Sequence, residues 1–332
     1  MNLLVLTLLV AVHPHASKGA TSLTDPAAKY RTSDSHHVEL RRGPVTAVIA
    51  DNADVDVPVL PKHRAGYNGV ASLKHEKRAE NLFVPGIAGL NFEHIHDGTK
   101  AVDRERFEPR KFPMQLRLID DFTVELHQPP TANWQLESVG RYRLLEDGAI
   151  EYSFECIPRA DLFRQNYIGL FWASYIDRPE DRSIAFLGID AARPSDAERW
   201  IRHLPERHGV AATHPPAGPV QEFRVDPEFS LTLVNHPSSY RHTRSWYYGV
   251  SHGMALVQMF RPRDRIWLAQ SPSGGGGENP AWDFQWFIPA PRTGEAYGFV
   301  MRALYVPFES PEQIRKLAES HQAQLLKADS RP

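Results

Sequence analysis

The chain has 332 residues, 42% of them hydrophobic, 23% charged and 10% aromatic, the composition of an ordinary globular protein with ample material for a buried core. Thirty-eight Lys and Arg stand against 40 Asp and Glu, and this formal charge of −2 gives no electrostatic reason to expect a nucleic acid or an anionic membrane as partner. A single cysteine, Cys156, excludes an internal disulfide and any multi-cysteine metal site, so the fold must stand on its packing.

The amino terminus carries an apolar run from Leu3 to Val12. As a helix it would reach about 15 Å, half a bilayer's hydrocarbon core, which is too short for a membrane anchor. It fits the apolar stretch of a secretory signal, with Ser17-Lys18-Gly19 offering small residues for cleavage. The expectation is a signal peptide over 1–19, a polar flexible arm over 20–36, and a secreted or periplasmic mature protein. No other stretch is long and apolar enough to span a membrane.

From about residue 37 the sequence becomes a succession of strand-like segments. Val38–Arg41 and Val45–Ala50 flank Gly43-Pro44, and Gln115–Ile119 and Phe122–Leu126 flank Asp120-Asp121. Leu136–Leu145 and Ala149–Ile157 flank Glu146-Asp147-Gly148 and read as a hairpin. In the second of these, Ile150, Tyr152, Phe154 and Cys156 share one face, the period of a half-buried strand, which makes Cys156 a core residue. Gly169–Ile176 carries no charge, as a strand covered on both faces would. Leu231–Val234, Met254–Phe260, Ile266–Ala269, Asp283–Ile288 and Tyr297–Val306 continue the series.

Two segments look helical. Ser195-Asp196-Ala197-Glu198 has the form of a capping box opening a short internal helix. Ser310-Pro311-Glu312-Gln313 opens a terminal helix running from about 311 to 327, with proline at the favoured first position. The fold class that follows is mostly β, a large two-sheet antiparallel sandwich over 37–308, with a C-terminal helix and tail over 309–332.

Several segments carry candidate chemistry. In Phe92-Glu93-His94-Ile95-His96-Asp97-Gly98, His94 and His96 are two apart and would project from one strand face, able to chelate a metal or to act as a base and a positioning group. The bland alternative is a strand end with one capping and one solvated histidine. His208 and His214 sit beside Gly209 and Pro215, in loop, where functional groups collect. Glu137 shares its strand face with Arg141 and Arg143 and should stay ionised, suiting hydroxyl binding or base catalysis, unless these are simply solvated cross-strand pairs. The four glycines at 274–277 lack a following Lys-Ser/Thr and precede a strand, which rules out a phosphate loop and leaves a flexible or tightly turned surface loop. In that strand Trp282, Phe284 and Trp286 share one face while Asp283 and Gln285 share the other, and Trp246 belongs to a second aromatic station. Aromatic rings beside Asp, Glu, Arg and His are what polyol recognition requires, because C–H faces stack on rings while each hydroxyl needs a donor or acceptor. Core packing is the plainer reading for any one tryptophan.

Gly89–His96, Asn133–Ser138 and the segment near 274–286 together resemble the galactose-mutarotase-like group over roughly residues 37–308. The resemblance implies a β-supersandwich that handles a small-molecule or oligosaccharide ligand, with histidines and acidic residues on the concave sheet as acid, base and hydroxyl ligands. His94, His96, His214, Glu137 and Asp283 are the residues here able to fill such roles, with Trp282, Trp246, Arg141 and His208 as candidate substrate contacts. Because the group includes epimerases, lyases, hydrolase domains and non-catalytic members, the reaction stays open. Acid/base chemistry of lyase or epimerase type is the first expectation, a non-catalytic sugar-binding protein the second, and a metal-dependent enzyme centred on His94 and His96 the third.

Overall fold

The computed structural model describes residues 20–100, 105–193, 197–219, 221–229 and 236–329. The signal sequence expected over 1–19 and the strand expected at 231–234 lie outside the described residues. The first strands are β1 (Arg31–Thr32), β2 (His37–Arg42), β3 (Val45–Ala50), β4 (Val55–Val57), β5 (Leu60–His63), β6 (Gly69–His75) and β7 (Asn91–His96). After a one-turn helix α1 (Glu108–Lys111) come β8 (Gln115–Asp120), β9 (Thr123–Gln128), β10 (Leu136–Leu144), β11 (Ile150–Pro158), β12 (Tyr167–Ala173), β13 (Ile184–Asp190) and β14 (Arg199–His203). The remainder are β15 (Thr213–His214), β16 (Tyr240–His242), β17 (Trp246–Ser251), β18 (Met254–Phe260), β19 (Trp267–Gly276), β20 (Asn279–Pro289), β21 (Tyr297–Pro307) and helix α2 (Pro311–Asp329).

The expected sandwich forms. One layer is an antiparallel 11-stranded sheet ordered β1-β8-β9-β10-β11-β21-β18-β17-β13-β14, with β16 also paired to β13. The other layer is divided: a 5-stranded sheet, β15-β19-β20-β12-β7, beside a 3-stranded sheet, β2-β3-β6. The two layers close over one core. Rings from three adjacent strands, Phe92, Trp172 and Phe284, stack with centroids 5.0 and 5.1 Å apart, and Trp172 Nε1 donates to Tyr152 of the facing sheet at 3.0 Å. Cys156 is buried in this core, as its strand period requires.

Helix α2 starts as its sequence demands, with the Gln313 amide donating to Ser310 Oγ and the Gln313 side chain accepting from the Glu309 amide. Its buried Ile314 and Ala318 pack with Trp246, Tyr248 and Val257 on the outward face of the large sheet. The internal helix is not where the capping box placed it. Residues 194–196 lie outside the described residues, and the chain that follows is strand β14, paired to β13 from Ile184↔His203 to Gly188↔Arg199. Glu198 accepts from Thr243 and Arg244 instead of closing a helical turn, and Trp200 and Ile201 favour a pleated surface. The amino-terminal segment 20–36 is stitched to the large sheet. Thr21 donates from its amide and hydroxyl to Glu155 at 2.8 and 2.6 Å, and the Ser22 amide donates to Glu125 at 2.9 Å. Among the described residues no helix is long and apolar enough to cross a membrane.

Candidate functional site

The outward face of the five-stranded sheet is where polar groups collect without solvent. Strand β7 is the edge of that sheet, and its exposed backbone is covered by side groups and loop. The Asn68 side chain pairs with both backbone groups of Phe92, and the Ile95 amide donates to the Arg106 carbonyl at 2.9 Å. Between Phe92, opposite Trp172, and His94, opposite Phe171, the register shifts, and Glu93 is the extra residue of a β-bulge. Phe92 and Ile95 face the core, so the bulge lets the consecutive residues Glu93 and His94 both face outward, with His96 following on the same side.

Glu93 and His94 border a cavity of about 390 Å³. Glu93 and His94 come from β7, Phe171 and Ala173 from β12, Tyr175 from the chain just beyond it, Ser271 and Gly274 from β19, and Ala281 and Asp283 from β20. Tyr67, Arg106, Phe107, Arg110 and His208 complete the wall from the covering segments. Glu108 fixes the helix bearing Arg110 by accepting the amides of Asn133 and Trp134, at 2.7 and 3.2 Å. The glycine-rich stretch is a hairpin. β19 extends to Gly276, opposite Asn279, and positive φ values of 88° and 59° at Gly276 and Gly277 turn the chain into β20.

Within the cavity Tyr175 donates to Glu93 at 2.5 Å, Asn91 donates to it at 3.3 Å, and Arg110 Nη1 lies 3.4 Å away. Burial lifts the Glu93 carboxyl above its ordinary range against these three partners. Asp283 accepts the Ser174 amide at 3.0 Å, and burial, reinforced by the charge of Glu93, lifts its carboxyl well above the usual range. Burial also raises the Tyr175 phenol well above its normal value, with both carboxylates adding to the effect. His94 stacks on Phe171 at 5.0 Å and meets Phe107 edge-on at 4.5 Å. Neither ring nitrogen has a hydrogen-bond partner among the described residues, although Nε2 stands 3.5 Å from Glu93 Oε1. Burial holds it neutral, well below the ordinary histidine value, and the charges of His96, Arg106 and Arg110 press the same way. His208 Nδ1 is hydrogen-bonded to Ser271 Oγ at 2.7 Å. A cavity that holds two buried carboxyls, a buried imidazole and two guanidiniums between aromatic walls can bind hydroxyls and pass protons.

The remaining residues singled out in the sequence fall elsewhere. His96 sits beside the cavity, not on its wall. Tyr167, Phe229 and Phe287 enclose it, both ring nitrogens lack hydrogen-bond partners among the described residues, and burial followed by the charge of Arg106 brings it down to about 3. His214 faces the other way, against Phe186 and His203, with Nδ1 on Ser238 Oγ at 2.7 Å. Trp282 is fully buried between the layers, and Trp246 lies under α2. Glu137 and Arg141 lie on the outward face of the large sheet, across the whole sandwich from the cavity. There His127 and Arg159 bond to Glu137, and Arg141 to Glu125. Burial alone would lift Glu137, but those two hydrogen bonds outweigh it and hold the carboxyl below its ordinary range. Among the described residues no group of three or more His, Cys, Asp or Glu is placed to hold a metal ion.

Glu93, Tyr175, Tyr67, Arg106 and Arg110 were not named as site residues from the sequence. Strict alternation puts Glu93 opposite His94, and only the bulge brings them together. The other four come from connections whose placement depends on the fold.

No protein-family model matches the chain, and no curated protein matches it. Solved structures similar to it include a candidate aldose 1-epimerase from Escherichia coli K12, with 11% identity over 82% of this chain and 99% of that one and a TM-score of 0.47. A galactose mutarotase-like protein from Lactobacillus casei is 10% identical over 81% of this chain and 99% of that one, with a TM-score of 0.44. The heparan sulfate lyase HepC of Pedobacter heparinus is 11% identical over 84% of this chain but 37% of its own, with a TM-score of 0.35.

Proposed function

We propose that the protein is an exported carbohydrate-active protein that binds a sugar in the cavity around His94 and Asp283 and moves a proton on it, as a lyase or epimerase does. The observation that carries this reading is the joint placement of Glu93, Tyr175, Asp283 and an unpartnered, neutral His94 around one aromatic-walled cavity. The volume of about 390 Å³ falls within the range of small-ligand sites. Tyr67, Phe107 and Phe171 offer faces for C–H packing, while His94, His208 and Ser271 offer groups for hydroxyls. In this reading His94 accepts a proton through its free nitrogen. Glu93, whose carboxyl burial lifts above its ordinary range, stands beside it as the partner acid, with the Tyr175 hydroxyl hydrogen-bonded to it.

The test is to incubate the purified protein with mono- and oligosaccharides in deuterated buffer and follow each sugar by NMR. The expected result is deuterium incorporation, anomer exchange or an unsaturated product with at least one sugar, lost in His94→Gln while the variant stays folded. Sugars that bind without any exchange or product would assign the cavity to recognition alone. Undiminished chemistry in His94→Gln would remove this cavity from the reaction.

A further inference from the structure

The cavity adjoins a second one. Its floor and walls come from β19, β20, β12 and β7, neighbours in that order, so three inter-strand spacings carry it about 14 Å across the sheet. Helix α1 and the residues just before it then pack along the edge of β7, where the Ile95 amide donates to the Arg106 carbonyl. Against α1 lies a hollow of about 670 Å³, with Asn52, Ala65, Gly66 and Pro113 among its walls. Phe107 and Arg110 line both spaces.

What separates the two spaces is a ridge that solvent reaches. Phe107, Arg110 and Tyr67 are each partly exposed, and the Arg110 guanidinium lies over the rings of Tyr67 and Phe107 at 4.1 and 5.6 Å. Arg110 is fixed from both sides: Nε donates to the Gly66 carbonyl at 3.0 Å, and Nη1 lies 3.4 Å from Glu93. Asn52 ties the base of the ridge through the Pro109 carbonyl at 3.0 Å. The side-chain polar groups of the second hollow are largely engaged, Asn52 with Pro109, Phe112 and Met114, and Lys111 with Glu105. What the hollow offers a ligand is C–H and ring surface, next to a cavity that offers hydrogen bonds.

We infer that the ligand is a linear oligosaccharide, one unit of which lies over Ala173 and Asp283 beside His94 while the next crosses the Tyr67–Arg110–Phe107 ridge into the second hollow. This rests on the cavity being the sugar site proposed above. A single six-membered ring covers only part of a floor about 14 Å wide. A linear chain repeats its apolar ring faces along its length, for the ridge and the hollow, and carries hydroxyls for the polar groups of the first cavity. An apolar aglycone on a single sugar is the rival occupant of the hollow.

The experiment is calorimetric titration of the full chain with gluco-, galacto- and manno-oligosaccharides and their uronate counterparts, each as a series from one unit to five. Methyl and phenyl glycosides of the same single sugars form a second arm. In at least one series affinity is expected to rise ~10–100-fold between one unit and three, the scale of burying a further apolar ring face, and then to level off. Ala65→Trp fills the second hollow from an exposed position, and Phe107→Leu keeps apolar bulk on the ridge without the ring. Each should cut that rise, and the exposed tryptophan keeps the test alive if Phe107→Leu fails to fold. Affinity independent of length overturns the oligosaccharide inference and leaves the sugar site standing. A rise that survives in both variants overturns the route over the ridge. Phenyl glycosides that bind more tightly than methyl ones, with no gain from length, give the hollow to an aglycone and overturn the inference too. No binding by any sugar overturns both it and the sugar site.

Discussion

On the outward face of the eleven-stranded sheet, charge meets charge across the strands. Arg141 bonds to Glu125 at 2.7 Å, His127 and Arg159 bond to Glu137, and Arg302 bonds to Glu151 at 2.9 Å. On the outward face of the five-stranded sheet, His94 and His96 are also buried, yet none of their four ring nitrogens finds a hydrogen-bond partner among the described residues. A buried polar atom left unsatisfied costs ~1–3 kcal/mol, so the second face is the less stable way to place such groups. Paired ionic groups in a sheet hold strands together. Unpaired ones add no such tie between strands. The sequence shows Glu, Arg and His on both faces, and the difference lies in what the fold brings opposite them.

The sharpest way to break this comparison is to remove one group from each face. With any sugar that turns over, His94→Ala should lower the rate by ~10²–10⁴-fold, the scale of a lost acid or base, with little change in melting temperature. Glu137→Gln should leave turnover within about twofold and soften only its own ion pairs. Steady-state kinetics on the two variants decides it. Comparable losses in both would erase the distinction between the faces.

A second expectation concerns packing under His96. A Cβ on Gly169 would stand 2.3 Å from the His96 ring. Gly169→Ala should therefore destabilise by ~1–3 kcal/mol, and combining it with His96→Ala should recover part of that loss, because the two residues share one space. Denaturant unfolding of the single and double variants measures this, and strict additivity would contradict it.

A third expectation lies in the pH response. His96 titrates at about 3 in the native protein, against ~6.5 in an unfolded chain. Between these values the unfolded chain takes up a proton that the native state refuses. Native stability therefore falls with falling pH, by about 1.4 kcal/mol per unit for this group. Glu93 and Asp283 act with the opposite sign. Their raised carboxyls keep protons that the unfolded chain loses, a cost that is relieved as pH drops. His96→Asn should flatten the acid side of the melting-temperature profile between pH 6.5 and 4.5. Parallel profiles for variant and wild type would show that His96 does not contribute.

The architecture was readable wherever a period or a cap was strong. The β10–β11 hairpin follows from its alternation and its Glu-Asp-Gly turn, and α2 from Ser310, Pro311 and Gln313. The internal helix was misplaced because a capping box says nothing about competing partners, and Thr243 and Arg244 took Glu198. Of the candidate site, His94 and Asp283 stood out in the sequence as polar residues within apolar strands, and the rest was hidden where the geometry departs from the regular period. A bulge at Glu93 shifts a side chain to the other face without leaving a mark in composition. Arg106 and Arg110 reach the cavity from the one-turn helix α1 and the residues just before it, packed along the edge of β7, and no local pattern predicts that contact.

The stitching of Thr21, Ser22 and Thr24 to Glu125 and Glu155 has a practical side. Glu125 is completely buried, and Ser22 supplies an amide to it that no tag or trimmed terminus would reproduce. Trimming past Ala20 would take from Glu125 and Glu155 the hydrogen bonds that Thr21, Ser22 and Thr24 supply. Fusions for immobilisation or labelling therefore belong upstream of that point, or beyond the end of α2, on the far side of the sandwich from the cavity.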